Sequence, residues 1–166
     1  GSLPDVACGA IERIIEDLPK VRLSVMFSLE GREKTHDAIH GRRGAFKSVL
    51  LAIKELNALR LKLLAKQKFF SLRMNTVVTS QNVREVLPVM EFVKKNTWVD
   101  AHYFSPMRGE GRDVRYQPPD AESFYRIFKR ARPYFEFYHY KEYRRRMRQN
   151  HSKWLSRRYS LWVRIL

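Results

Sequence analysis

Apolar residues along the chain follow two alternating patterns. Short apolar runs predict buried strands at residues 22–28, within 69–79 and at 99–104. Between and beyond these runs, helical spacing of apolar residues predicts helices at 10–18, at 43–66, after a cap at Ser80 or Asn82, at 120–131, and from 134 to about 162. Pro88 falls inside the third predicted helix and should kink it. Strands that alternate with helices at this spacing are typical of an α/β fold with parallel strands and right-handed crossovers.

The composition is that of a folded domain. The chain has 166 residues, of which 44% are hydrophobic and 13% aromatic, and this excludes a disordered chain. No apolar run approaches the roughly 20 residues needed to span a bilayer, and the first residues lack the features of a secretory signal. The single cysteine, Cys8, cannot form an internal disulfide, so we expect a cytoplasmic protein.

A net charge of +16 is concentrated towards the end of the sequence. From Glu122 onward the chain carries 13 lysines and arginines but only three acidic residues, and tyrosines and tryptophans lie between the arginines. A surface of this kind can follow phosphates and stack on bases, so nucleic acid is one candidate partner. The alternative is a helix that docks on a missing domain, and the absence of a compact recognition motif favours docking.

Four short motifs carry the most specific signal in the sequence. They are Ser28-Leu29-Glu30-Gly31, His36-Asp37, Gly44-Ala45-Phe46 and Asn75-Thr76-Val77-Val78-Thr79. Their order resembles the central part of a radical SAM domain, including SPASM-type relatives that carry auxiliary cluster domains. The resemblance covers residues 10–132 and implies the fourth to sixth units of a six-unit partial (βα) barrel. We therefore divide the chain into a partial barrel fragment at 1–132 and a basic, aromatic helical tail at 133–166.

The resemblance implies an enzyme that cleaves S-adenosylmethionine at a 4Fe–4S cluster to form a 5′-deoxyadenosyl radical. It also implies positions that contact the cofactor or the substrate. The implied cofactor contacts are Ser28, Glu30, His40, Asn75 and Phe104, and the implied substrate contacts are Arg108 and Arg112. Several of these segments also have a plain structural interpretation: Ser28 and Asn75 as strand ends, Gly31 as a turn, and the two arginines as partners of Glu110 and Asp113.

Two departures from the family pattern limit what this chain can do alone. The C-x3-C-x2-C motif that holds the cluster is absent, and one cysteine cannot replace the three or four thiolates that such a cluster needs. His40 stands where many relatives have Arg, which pairs with a carboxylate through a planar fork that imidazole lacks. We expect a portion of an enzyme that is inactive alone and needs the missing half of the barrel or a partner domain. The alternatives are a basic nucleic-acid-binding module and a non-functional remnant.

His36 and His40 are four residues apart, so a helix would place both imidazoles on one face. The sequence places no third ligand beside them, and a structural zinc site normally has four. We therefore predict no metal site from the sequence. Asp37 is expected to order the turn before the following helix, as a cap or an Asx-turn.

Overall fold

The computed structural model describes residues 3–18, 23–66, 68, 70–109 and 113–149. This part of the chain is mixed α/β. Its elements are, in order, α1 (Leu3–Asp17), β1 (Ser24–Ser28), α2 (Glu33–His40), α3 (Ala45–Ala65), β2 (Ser71–Val78), α4 (Val86–Asn96), β3 (Ala101–Pro106) and α5 (Ala121–Gln149). Among these helices none is both long and apolar enough to cross a membrane.

The three strands form one parallel sheet in the order β1-β2-β3, which confirms the predicted parallel arrangement. Ser28 of β1 is in register with Asn75 of β2, and Asn75 is in register with Tyr103 of β3. Burial alternates strictly along β2, with every second residue buried. This period of two means that one face of the sheet is covered and the other is more open.

Helices cover one face of the sheet. Leu72 and Met74 of β2 are fully buried on it, in one cluster with residues from both α3 and α4. Among these helix residues are Leu56 of α3 and Val93 of α4, each at most 1% exposed. Because both crossover helices lie on this face, α3 and α4 leave the face of Ser28, Asn75 and Tyr103 uncovered.

Helix α5 contributes to a second hydrophobic cluster on the covered face. Phe104 of β3 packs against Phe124, Phe128 and Phe135 of α5, with ring centroids 5.6 to 6.5 Å apart. Asp120 caps α5, because its carboxylate accepts a 2.8 Å hydrogen bond from the Ser123 N–H. The predicted helix start at residue 120 is thereby confirmed.

Two expectations about the helices were wrong. Pro88 is the third residue of α4, which begins only at Val86, and first-turn N–H groups have no intrahelical partner in any case. The predicted kink therefore has no cause. Two helices were predicted, at 120–131 and from 134, yet α5 runs from Ala121 to Gln149 without a break at Pro133. Packed residues on both sides of it, such as Ala131 and Tyr138, offset the lost hydrogen bond. The predicted helix beyond residue 149 lies outside the described residues.

His102 is buried at the start of β3, with 1% of its surface exposed. The Thr76 hydroxyl donates a 2.7 Å hydrogen bond to the Leu29 carbonyl, so it accepts from the His102 Nε2–H at 2.9 Å. Nδ1 of His102 has no hydrogen-bond partner within the described part of the chain. Burial lowers the pKa of His102 from 6.5 to about 3, which keeps the imidazole neutral.

We predict that His102 makes the fold sensitive to mild acid. Between pH 6.5 and 3 the unfolded chain takes up a proton that the folded chain does not, so its contribution to stability is complete above pH 6.5 and falls as the pH falls. The unfolding free energy should drop by about 2 kcal/mol between about pH 7 and pH 5 from this residue alone. Urea unfolding of wild type and His102→Gln at both pH values measures the difference.

The exposed helical residue His139 provides the control. His139→Gln should keep the wild-type pH dependence, whereas His102→Gln should lose most of the acid-induced drop. An equal pH dependence in wild type and His102→Gln would contradict the prediction.

Candidate functional site at the carboxyl edge of the sheet

The turn that follows β1 is fixed by side chains from β2 and the loop after it. The Leu29 N–H extends the sheet by donating to the Asn75 carbonyl at 2.9 Å. The side-chain amide of Asn82, fully buried, donates to the carbonyls of Glu30 (2.6 Å) and Val77 (2.8 Å). Its oxygen accepts from the Thr79 N–H at 2.7 Å. Asn82 therefore joins the two strand ends, and the prediction that Ser80 or Asn82 caps α4 was wrong, because the helix starts only at Val86.

Glu85 fixes the other side of the same turn. Its carboxylate accepts a 2.8 Å hydrogen bond from the Arg32 N–H and another from the Thr35 hydroxyl. These contacts place a negative charge at the N-terminus of α2, where the helix dipole favours it. The close approach depends on Gly31, since a Cβ there would lie 2.6 Å from the Thr35 Cβ and 2.9 Å from Glu85 Oε2.

The side chain of Glu30 extends from this turn towards two histidines of α2. Its Oε2 lies 3.1 Å from His36 Nδ1 and 2.8 Å from His40 Nε2. The Glu30 carboxylate and the His36 ring are buried, whereas the His40 side chain is 42% exposed. The two imidazole rings are 4.2 Å apart between centroids. We refer to Glu30, His36 and His40 as the carboxylate–imidazole cluster.

The cluster holds Glu30 in its charged form. Burial opposes the charge, but hydrogen bonds from His36 and His40 outweigh burial and keep the pKa of Glu30 below its usual value. A carboxylate is thus kept ionised beneath the surface, next to two imidazole nitrogens. This arrangement supplies the donor atoms of a proton-sharing network or of a cation site.

A cavity of about 340 Å³ opens in front of the two histidines. It is lined by His36, His40, Arg42, Ala45 and Val49. Within the described residues, Nε2 of His36 is buried without a hydrogen-bond partner. The sequence placed no third donor beside the two imidazoles, and the structure supplies one in Glu30, so that three donor atoms lie within 4.8 Å of one another.

Asp37 has the structural role that the sequence predicted. Its carboxylate accepts hydrogen bonds from the N–H groups of Gly44 (2.6 Å) and Phe46 (2.9 Å), which begin α3. The bonds to Phe46 and Gly44 lower the pKa of Asp37. The turn before α3 is therefore ordered by Asp37, and α2 and α3 keep a fixed relation.

Ser28 and Asn75 lie side by side on the open face of the sheet. They are register partners, Ser28 as the last residue of β1 and Asn75 as the fifth of the eight residues of β2, and Asn75 Nδ2 donates to Ser105 Oγ at 3.5 Å. Tyr103 completes the row and is 42% exposed. The open face thus presents hydroxyl and amide groups close to the carboxyl end of β1, the end of a parallel strand at which ligands commonly bind.

The other predicted contacts do not join this group. Phe104 is on the covered face among rings of α5, because it follows Tyr103 and side chains alternate along a strand. Glu30 and His40 are paired with each other beyond the end of β1. Arg108 is exposed in the loop after β3, and Arg112 lies outside the described residues. Asp113, one of the two acidic residues suggested as partners of these arginines, binds Arg115 at 2.6 Å.

No protein-family model, no curated protein and no solved structure matches this chain.

We predict that Gly31→Ala destabilises the turn after β1. The added methyl group would meet Thr35 and Glu85 inside van der Waals distance and force the turn apart. The unfolding free energy should fall by about 1–3 kcal/mol, as for other overpacked sites. Urea unfolding at neutral pH measures the change.

Gly9→Ala is the matched control, since a Cβ at Gly9 in α1 meets nothing within 4 Å. There the same substitution should stabilise the helix by about 0.5–1 kcal/mol. If both variants shifted stability in the same direction, close packing at Gly31 would not be the reason for its glycine.

Proposed function

We propose that the chain is a portion of a radical SAM enzyme domain, and that its sheet is a section of the partial (βα) barrel. In the intact parent, the open face of the sheet would contact S-adenosylmethionine. The observation that carries this proposal is the pairing of Ser28 with Asn75 on a face that α3 and α4 leave uncovered. These residues belong to two separate motifs of the resemblance, and the register makes them neighbours.

The polarity of the open face supports a ligand-lined barrel over a doubly wound sheet. Helices on one side of three strands in chain order suit a barrel section and one half of a doubly wound fold alike. A doubly wound sheet, however, buries both faces and needs apolar residues on each. The open face carries mostly polar side chains, namely Ser24, Ser28, Ser71, Arg73, Asn75 and Ser105, beside Tyr103 and the apolar Met26, Val77 and Ala101.

The residues present fit one of the two implied cofactors. Ser28 and Asn75 supply a hydroxyl and an amide that suit the polar groups of S-adenosylmethionine. The 4Fe–4S cluster does not fit, because Cys8 is the only cysteine in the sequence and the cluster needs about three or four thiolates. The cluster ligands would have to come from a partner or from further chain. His40 is already paired with Glu30, so we assign it no contact with the methionine carboxylate.

Binding of S-adenosylmethionine to the chain tests the open-face site. Ser28→Ala should lower the affinity about fivefold, since one hydrogen bond is worth about 1 kcal/mol. Ser24→Ala is matched to it, on the same face of the same strand but at the other end, and should bind as wild type does. Equilibrium dialysis with labelled S-adenosylmethionine measures both. The proposed site would be contradicted by an equal loss of affinity in the two variants, or by the absence of binding to wild type at millimolar S-adenosylmethionine.

Reductive cleavage of S-adenosylmethionine tests whether the chain needs cluster ligands from outside its own sequence. We expect the chain, reconstituted anaerobically with iron and sulfide, to release no more 5′-deoxyadenosine than a cluster-free control, because it lacks the thiolates. Chromatography of the reaction products measures the release. Cleavage above the control would show that the chain holds a competent cluster without a partner.

A second candidate, binding of single-stranded nucleic acid, rests on α5. Tyr125 and Tyr140 are 58% and 59% exposed there, and the Lys129 ammonium lies 4.8 Å from the Tyr125 ring centroid. If α5 stacks on bases, Tyr125→Ala with Tyr140→Ala should weaken oligonucleotide binding in fluorescence anisotropy. Tyr103→Ala on the sheet is the control. Binding that is absent even at about 50 mM salt would end this candidate.

A further inference from the structure

We propose that Glu30, His36 and His40 bind one divalent transition-metal ion, with zinc as the best match. The site is distinct from an iron–sulfur cluster, because its donors are one carboxylate and two imidazoles and include no thiolate. It goes beyond the proposed function, since nothing in the motifs of the sequence assigns a metal to these residues. The argument rests on the donor set, on the conflicting partners of His36 Nδ1 and on the adjoining cavity.

The donor set matches zinc in type and spacing. Zinc takes imidazole nitrogen and carboxylate oxygen at about 2.0–2.2 Å, which puts neighbouring donors of a tetrahedral site about 3.3 Å apart. Oε2 of Glu30 is 3.1 Å from His36 Nδ1 and 2.8 Å from His40 Nε2, each within a few tenths of an ångström of this spacing, and all three donors lie within 4.8 Å of one another. Because the His40 side chain is 42% exposed, it has room to move.

His36 is poorly satisfied by the protein alone. Its Nδ1 faces two partners that need opposite protonation states: the Glu30 N–H, a donor at 3.2 Å, and Glu30 Oε2, an acceptor at 3.1 Å. One nitrogen cannot accept from the first and donate to the second at once. In either tautomer Nε2, buried, is left without a partner among the described residues. An ion between His36 Nδ1 and Glu30 Oε2 would take one lone pair from each atom and so remove the conflict at Nδ1.

The surroundings leave space to complete the coordination. Three protein donors with a fourth, open position are the arrangement of catalytic zinc sites, in which water fills the last place. The cavity in front of His36 and His40, about 340 Å³, is large enough for that water and for a small ligand. Arg42 lines the cavity and brings a positive charge that suits an anionic ligand on the metal.

The frame that holds the three donors is rigid. Asn82 fixes the carbonyl of Glu30, and Glu85 binds the N-terminus of α2, which carries both histidines. His36 and His40 are one helical turn apart, so the helix sets their separation before any ion binds. Such preorganisation lowers the cost of gathering ligands around a metal.

Metal titration of the full chain tests the proposal. We expect wild type to bind one equivalent of Zn²⁺, measured by competition with a chromophoric chelator. Glu30→Gln and His40→Ala should each weaken binding at least tenfold, because even outer partners of a metal site are worth about 10–100-fold. Co²⁺ should give tetrahedral d–d absorption without the near-ultraviolet band of a thiolate ligand, which would exclude Cys8.

His139→Ala is the matched control, since His139 is an exposed helical histidine outside the cluster, and it should bind zinc as wild type does. Circular dichroism of each variant shows whether it is folded. If a ligand variant does not fold, histidine ring NMR of wild type decides: zinc should shift two rings first and leave His139 unchanged. Absence of stoichiometric binding, an equal loss in His139→Ala, or an early shift of His139 would overturn the proposal. S-adenosylmethionine binding through Ser28 can survive any of these results.

Discussion

The side-chain amide of Asn82 joins the carboxyl ends of β1 and β2, and the candidate site depends on this link. Its amide satisfies the carbonyls of Glu30 and Val77 and the N–H of Thr79, all at a position without solvent. Leaving such buried groups unpaired costs about 1–3 kcal/mol each. Once the Glu30 backbone is fixed, the position of its carboxylate follows. Glu85 then fixes the start of α2 against the same turn, so one short loop after β2 positions every member of the carboxylate–imidazole cluster.

Local patterns predicted the elements that bury a regular apolar face. The predicted strand at 22–28 became Ser24–Ser28, and the predicted helix at 43–66 became Ala45–Ala65. In α3 the buried residues recur at helical spacing, so the apolar pattern predicts both the helix and its buried face. α2 was not predicted, because it has only eight residues and one of them, His36, is buried, which leaves no apolar periodicity to detect. Helix α1 was placed to begin seven residues too late, since its first turns lack the periodic isoleucines.

Long-range polar contacts decided the rest, and no local pattern encodes them. Asn82 is a good cap by residue type, so local reasoning assigned it to α4, whereas its partners lie on two strands. Glu30 and the histidines were identified separately, but no sequence pattern indicates that a carboxylate lies between the two imidazoles. Phe104 was chosen by its position at a strand end, and only the packing of α5 shows that its ring is on the covered face. Asp37 was predicted correctly because its partners follow within nine residues.

Ser28 and Glu30 lie two residues apart, yet their side chains lie in different environments. Ser28 is the last residue of β1 and is exposed on the open face, whereas Leu29 is fully buried and Glu30 turns beneath α2. The backbone between them is held at Leu29 by Asn75 and Thr76 of β2. A ligand on the open face and a cation in the carboxylate–imidazole cluster would therefore contact opposite ends of the same segment, residues 28–30. Because β2 binds both the N–H and the carbonyl of the intervening Leu29, the positions of Ser28 and Glu30 are set by the same two hydrogen bonds.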